Sequence, residues 1–185
     1  YIYNLSTLDY QFIFLIQKDK VKEKILNKFS CIDKLEISTK LPSTLEVSYT
    51  GKKPLVKVDS SDIFLTASGL AIKTSTAENL PTIFIAEDFK VEAGSKISNP
   101  ETLLALKIVN SLSKSDFIPT NVRIVNDSIT VYNQQDSVVI FSTKKPANYQ
   151  SDSLQKVLAK AKMESKKISK IDMRFDNPII VFSQN

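Results

Sequence analysis

The sequence predicts an α+β fold made of short strands and three amphipathic helices. Its 185 residues are 42% hydrophobic, which is enough for one large or two small cores. Short alternating runs bounded by turn residues predict strands, and helical spacing of apolar residues occurs three times. The longest apolar run, at residues 12–16, is far too short to cross a bilayer.

The first part of the chain, residues 1–58, predicts a helix followed by a hairpin. Apolar residues recur at helical spacing over 18–29, and lysines occupy the other face. Residues 32–41 and 45–49 alternate between apolar and polar, and Leu41-Pro42-Ser43 separates them as a turn. We therefore expect one helix on a two-stranded sheet.

The remainder, residues 59–185, predicts a curved antiparallel sheet with two helices. Asn99 and Pro100 are typical helix-start residues, and they predict a helix to about residue 112. A second helix is predicted over 153–166, with leucine and valine on one side and lysines on the other. Nine strands are also predicted, and the first of them ends directly before residue 59. They are 55–58, 63–66, 70–73, 83–85, 122–125, 129–132, 138–141, 171–175 and 179–182.

Composition excludes most catalytic chemistry. The chain has 0 His, so it cannot form a Ser-His or Cys-His nucleophile or a histidine metal site. Its single cysteine, Cys31, excludes an intrachain disulfide and a thiolate cluster. Its 3 glycines are too far apart for a dinucleotide fingerprint or a P-loop. Ser-x-x-Lys pairs occur at chance frequency, so we expect no catalytic residue, metal or cofactor.

The positive charge is concentrated near the end of the chain. Residues 144–174 hold nine cations and three anions, whereas the whole chain carries a net charge of +5. One interpretation is a surface that faces an anionic cell-wall polymer or lipid headgroups, and the other is the solvated face of a helix. Lysines without interleaved aromatic residues argue against nucleic acid. The candidate patch consists of Lys156, Lys160, Lys162, Lys166, Lys167 and Lys170.

The last predicted strands differ from the others. Ile171, Met173 and Phe175 alternate with polar residues, as expected for a half-buried strand. The segment 179–182 is apolar on both faces and follows Pro178, which cannot donate to a ladder and is confined to an edge or a strand start. A partner strand could cover such an edge. Alternatively, the strand is buried under the 153–166 helix.

Several segments together resemble the extracytoplasmic part of the FtsQ/DivIB family of bacterial cell-division proteins. They are 20–26, 31–37, the Lys-Leu-Pro-Ser-Thr-Leu turn that begins at Lys40, the Lys-Pro-Leu-Val step that begins at Lys53, 58–59, 68–71, 80–83 and 171–175. The order of these motifs resembles the end of a POTRA domain followed by the β-domain of this family. The first POTRA strand and helix have no clear counterpart, so the resemblance implies that the chain starts inside that domain.

The resemblance implies a partial POTRA domain at 1–58 and a β-domain at 59–185. It implies a non-enzymatic scaffold that binds FtsB/DivIC-like and FtsL-like proteins and helps to coordinate septal peptidoglycan synthesis. It also implies a single-pass membrane protein whose transmembrane helix lies upstream, with this segment on the extracytoplasmic side at the division septum.

The resemblance also implies which residues bind the partner. In the family, the strand after an Ile-Asp-Leu-Arg motif accepts a partner strand, and the arginine of the motif is placed for an ion pair. Carried over by position, Arg174 makes the ion pair. The strand residues are then Phe175, Asp176, Asn177, Ile179, Ile180, Val181 and Phe182.

Overall fold

The structure, a computed structural model, describes residues 16–40, 44–74, 79–85, 91–113, 115–135 and 137–183. These residues form both helices and strands, which confirms the predicted α+β class. The chain divides into two compact units, Tyr1–Lys52 and Lys53–Asn185. Within the described ranges, no helix is long and apolar enough to cross a bilayer.

The first unit contains the predicted helix and hairpin. Helix α1 (Lys18–Lys28) packs against strand β1 (Ile32–Lys40), which pairs antiparallel with β2 (Thr44–Gly51). Leu35 of β1 is buried. The predicted turn at 41–43 lies outside the described residues.

Within its described residues, the second unit is a nine-stranded sheet with two helices. Its helices are α2 (Pro100–Leu112) and α3 (Ala147–Met163). Its strands are β3 (Pro54–Val58), β4 (Phe64–Thr66), β5 (Ala71–Ile72), β6 (Thr82–Phe84), β7 (Pro119–Val125), β8 (Ser128–Asn133), β9 (Val138–Ser142), β10 (Ile168–Asp172) and β11 (Ile179–Phe182). Their order across the sheet is β11-β10-β9-β8-β7-β6-β3-β4-β5.

This sheet is mixed rather than purely antiparallel, which corrects the predicted strand directions. β9 runs parallel to β10, β6 to β7, and β3 to β6. Parallel neighbours need a crossover connection, and α3 and α2 supply it for the first two pairs. The apolar alternation within a strand carries no information about the direction of its neighbour, so it could not indicate these parallel pairs.

The second unit begins earlier than predicted. Its first residue is Lys53, whereas the prediction placed the boundary between residues 58 and 59. β3 pairs with β4 and β6, so these residues belong to the large sheet. The boundary therefore lies at the Lys-Pro step that begins at Lys53 and not at the end of β3.

The helices of the second unit start at residues that fix their first turns. The side chain of Asn99 caps α2 by accepting a hydrogen bond of 2.9 Å from the N–H of Thr102. α3 starts at Ala147 instead of residue 153. Gln150 anchors this additional first turn of α3. Its side chain is 1% exposed and hydrogen-bonds the backbone of Ser142.

One face of the large sheet forms the core against the two helices. A row of directly paired apolar residues crosses seven strands on this face: Ile180, Ile171, Val139, Val131, Val122, Ile83 and Val58. Leu106 and Ile108 of α2 and Leu154 of α3 are fully buried in the same core. We refer to this side as the core face and to the opposite side as the outer face.

β10 is displaced from its predicted position. It spans Ile168–Asp172 instead of 171–175, and Phe175, expected to face the core, is 51% exposed. The strand ends because the side chain of Asp172 accepts a hydrogen bond from the N–H of Arg174 at 3.1 Å, which forms a local turn. The prediction of an inward-facing Phe175 is therefore wrong.

Candidate partner-binding edge

Strand β11 is the outermost strand at one end of the nine-stranded sheet. Its side chains remain accessible: Ile179 is 51% exposed, Val181 48% and Phe182 41%. The alternative that this strand is buried under α3 is therefore wrong. Apolar side chains on an accessible edge strand are the feature that proteins usually avoid, because such an edge can pair with another chain.

The backbone of β11 has N–H and C=O groups that point away from β10, and no described residue pairs with them. The N–H of Met173 donates to the C=O of Ile140 in β9 at 2.8 Å, so the backbone groups of Ile171 and Met173 face β9. Because backbone groups alternate along a strand, those of Asp172 and its cross-strand partner Ile179 face each other. The N–H and C=O groups of Ile180, and likewise those of Phe182, then point away from β10.

The opposite end of the sheet is closed by the chain itself. Beside β5, the N–H of Ala71 donates to the C=O of Ser95 at 2.9 Å, and the N–H of Gly94 donates to the C=O of Ala71 at 2.8 Å. The N–H of Ile97 also donates to the C=O of Gly69 at 2.8 Å. At β11, by contrast, no described residue forms a backbone hydrogen bond to the strand edge that faces away from β10. The two edges therefore differ, and β11 is the accessible one.

Arg174 lies in the turn before β11 and is paired within the chain. Its guanidinium donates to the carboxylate of Asp172, from Nη2 to Oδ2 at 2.6 Å and from Nε to Oδ1 at 2.9 Å. These hydrogen bonds lower the pKa of Asp172 even though its burial acts in the opposite direction, and they raise the pKa of Arg174. The residue that the resemblance assigns to a partner ion pair is thus already bound to Asp172.

The other turn residues named by the resemblance lie between β10 and β11. Phe175, Asp176 and Asn177 are exposed and do not belong to either strand. Asp176 forms an ion pair with Lys145, with 3.1 Å between Oδ1 and Nζ. The side chain of Lys145 is only 20% exposed. Lys145 therefore ties this turn to the start of α3. Sequence reasoning did not connect Lys145 to the turn, because the two are 31 positions apart.

A bulge in β10 further shapes this edge. The pairing of β10 with β11 shifts between Ile168 and Lys170. At the extra residue, the hydroxyl of Ser169 donates to the C=O of Val181 at 3.1 Å. Bulges increase the local twist and change the direction of side chains. No local pattern in the sequence indicated this irregularity.

The six lysines of the predicted basic patch do not form one surface. Lys162 pairs with Asp116 at 2.7 Å and Lys166 pairs with Glu164 at 2.8 Å. These contacts raise the pKa of Lys162 and lower the pKa of each carboxylate. The remaining members are all exposed: Lys156 and Lys160 on α3, Lys167 before β10, and Lys170 in β10.

Lys170 lies on the opposite side of the sheet from α3. Its neighbour Ile171 is on the core face, and side chains alternate along a strand, so Lys170 is on the outer face with Val138 and Val181. Lys166 instead contacts β11 directly, with its ammonium 5.3 Å from the ring centre of Phe182. The patch is therefore divided between two faces.

No known family model matches the chain, and no curated protein does. The resemblance to FtsQ/DivIB proteins stays a prediction from the sequence. In the part of the chain that the structure describes, no three His, Cys, Asp or Glu side chains are grouped so that they could hold a metal ion.

Proposed function

We propose that β11 accepts a strand from a partner protein and that the chain is a non-enzymatic scaffold of the bacterial division machinery. The observation that carries this proposal is the accessible edge of β11, with outward backbone groups at Ile180 and Phe182 and exposed apolar side chains. Strand addition uses these two features, because backbone pairing provides register and alternate side chains provide specificity.

The resemblance gives the partner and the cellular setting of this proposal. The resemblance implies that an FtsB/DivIC-like protein and an FtsL-like protein are the partners of this strand. The segment is then extracytoplasmic, at the division septum, and anchored by an upstream transmembrane helix. The apolar character of 179–182 led to an edge strand independently of the family motifs, so two lines of reasoning converge on one segment.

Backbone pairing supplies only part of the required affinity. Ile180 and Phe182 together offer two N–H and two C=O groups, and a hydrogen bond contributes about 1 kcal/mol net. Burial of Ile179 and Val181 on the outer face adds about 25 cal/mol for each Å² of apolar surface covered. We therefore expect a partner strand that carries apolar side chains on the side facing these residues.

The experiment is a proline substitution that removes one outward N–H. Ile180→Pro is compatible with an edge strand, since the lost N–H faces away from β10. Ile180→Val is the matched control, because it retains the N–H and the β-branched side chain. Binding of a purified FtsB/DivIC-like partner is measured by calorimetry, and folding by circular dichroism.

We expect Ile180→Pro to remain folded and to lose partner binding, while Ile180→Val binds normally. Val181→Pro provides a second comparison, because the N–H of Val181 faces β10 and its loss weakens the sheet itself. If folded Ile180→Pro binds the partner as tightly as the unmodified protein, strand addition at this edge is excluded.

A second candidate function is the binding of an anionic cell-wall polymer or lipid headgroups by α3. Lys156 and Lys160 are exposed one helical turn apart, and neither has an ion-pair partner among the described residues. Co-sedimentation with wall material and with anionic vesicles tests this at several salt concentrations. Steep salt dependence that Lys156→Glu and Lys160→Glu abolish supports the candidate, and indifference to both changes removes it.

A further inference from the structure

A small cleft opens beside α3 at one end of the core face. Its volume is about 190 Å³. Its floor is apolar and includes Phe117, Val139, Leu158 and Ile171. Drug-sized ligands usually occupy pockets of roughly 300–1,000 Å³, so this cleft has room for a ring or a short aliphatic chain.

Three lysines, Lys162, Lys166 and Lys167, line the cleft. Asp116 neutralises the first of them and Glu164 the second. Lys167 has no ion-pair partner among the described residues, so the described part of the site carries one uncompensated positive charge. Lys114 and Asp136 are close to lining residues in the sequence but lie outside the described residues. Their charges are opposite.

The wall of the cleft is built by hydrogen bonds that fix its shape. The amide oxygen of Asn133 accepts from the N–H groups of Gln135 at 2.9 Å and Ser137 at 2.8 Å. The hydroxyl of Ser137 donates to the C=O of Ile168 at 2.8 Å, and Ser137 is only 8% exposed. The bulge after Ile168 separates this residue, which packs against the core, from Lys170 on the outer face. These contacts hold Gln135, Ser137 and Ile168 together at the wall of the cleft.

We infer that this cleft binds a small monocarboxylate with an apolar body. The apolar body contacts the floor at Leu158, which is half-buried, and the carboxylate is neutralised by Lys167. A single negative charge matches the single uncompensated lysine, whereas a dianion would leave an excess negative charge beside Asp116. This inference does not depend on strand addition at β11.

The experiment uses hexanoate as the probe, titrated into the full chain labelled with ¹⁵N. We expect saturable amide shifts at Ser137 and Ile168, which form the wall, and at Ser183, whose N–H donates to the C=O of Lys167 at 2.8 Å. Methyl hexanoate has the same apolar body without the charge. We expect methyl hexanoate to bind about fivefold more weakly than hexanoate, because it lacks the same charge contact, and hexylammonium to bind more weakly than the ester.

The matched variants are Lys167→Ala at the cleft and Lys107→Ala, at an exposed residue of α2 that does not line it. An exposed ion pair contributes up to about 1 kcal/mol, so Lys167→Ala should weaken hexanoate binding about fivefold. Lys107→Ala should leave it unchanged. The inference is overturned if hexanoate gives no saturable shift, if the ester binds equally well, or if both variants behave alike.

Discussion

The guanidinium of Arg174 covers the carboxylate of Asp172, and the two side chains share three hydrogen bonds of 2.6 to 3.2 Å. Asp172 is 6% exposed although it lies on the outer face, because the arginine folds back over it. A bidentate arginine–carboxylate pair is among the stronger polar contacts in proteins. The pair therefore stabilises the turn that leads into β11.

Arg174→Met should destabilise the second unit. The substitution removes the three side-chain hydrogen bonds to Asp172, and water replaces part of them because the arginine no longer covers this carboxylate, so we expect a loss of about 1 kcal/mol. Urea denaturation measures the free energy of unfolding. The double variant Asp172→Asn/Arg174→Met should recover part of the loss, because the buried charge is removed as well. Equal stability of Arg174→Met and the unmodified protein would show that this pair does not stabilise the turn.

The same pair predicts how stability depends on acid. The pKa of Asp172 in the folded chain lies below its ordinary value of 3.8, with the Arg174 hydrogen bonds as the main cause. Its contribution is therefore fully present above about pH 4 and is lost as the pH falls through the lowered folded pKa. Asp172→Asn should remove this part of the acid dependence, as measured by urea denaturation between pH 2 and 6. Parallel acid profiles for the two proteins would contradict the assignment.

Local patterns predicted most of the elements because they depend on nearby residues. The Asn99 cap and Pro100 define the start of α2 within a few positions, and α1 follows from apolar spacing alone. Two of the parallel pairs follow from the crossovers through α2 and α3, and the predicted order of strand, helix and strand at these places could have indicated them. The parallel pairing of β3 with β6 depends on the tertiary fold.

The candidate edge could be predicted only in part for a related reason. The apolar segment after Pro178 indicated an edge strand, and β11 lies at the sheet edge. The turn before it depends on side-chain contacts: Arg174 with Asp172, and Lys145 with Asp176. The first pair is two positions apart, so the spacing of opposite charges could have indicated it. The second depends on the tertiary fold.

Gln150→Leu should destabilise the second unit strongly. The amide of Gln150 accepts from the N–H of Ser142 and donates to the C=O groups of Ser142 and Lys145, at 2.8 to 2.9 Å. Leucine has a similar size but leaves these buried backbone groups unsatisfied, at a cost of about 3 kcal/mol. Thermal and urea denaturation measure the effect. Gln155→Leu, on the exposed side of the same helix, is the matched control and should change stability little.

Gly69→Ala should destabilise the second unit more than Gly94→Ala does. Both glycines lie beside β5, at the end of the sheet that the chain itself closes. Both glycines have positive φ, +77° and +90°, so alanine costs about 1 kcal/mol in backbone strain at either position. At Gly69 a Cβ would also lie 2.7 Å from Cδ2 of Leu103, whereas nothing lies within 4 Å of a Cβ at Gly94. Cδ2 is the end of a half-buried side chain that can shift to another position, so this contact adds about 1 kcal/mol.

Urea denaturation of the two single variants separates these effects, because their difference reports the contact with Leu103. Leu103→Ala combined with Gly69→Ala should remove the steric part, so the two changes together should cost less than their separate effects added. Hydrogen exchange at the amide of Ile97, which donates to the C=O of Gly69 at 2.8 Å, should rise in Gly69→Ala. If both alanine variants lose the same stability, Leu103 does not restrict the chain at Gly69.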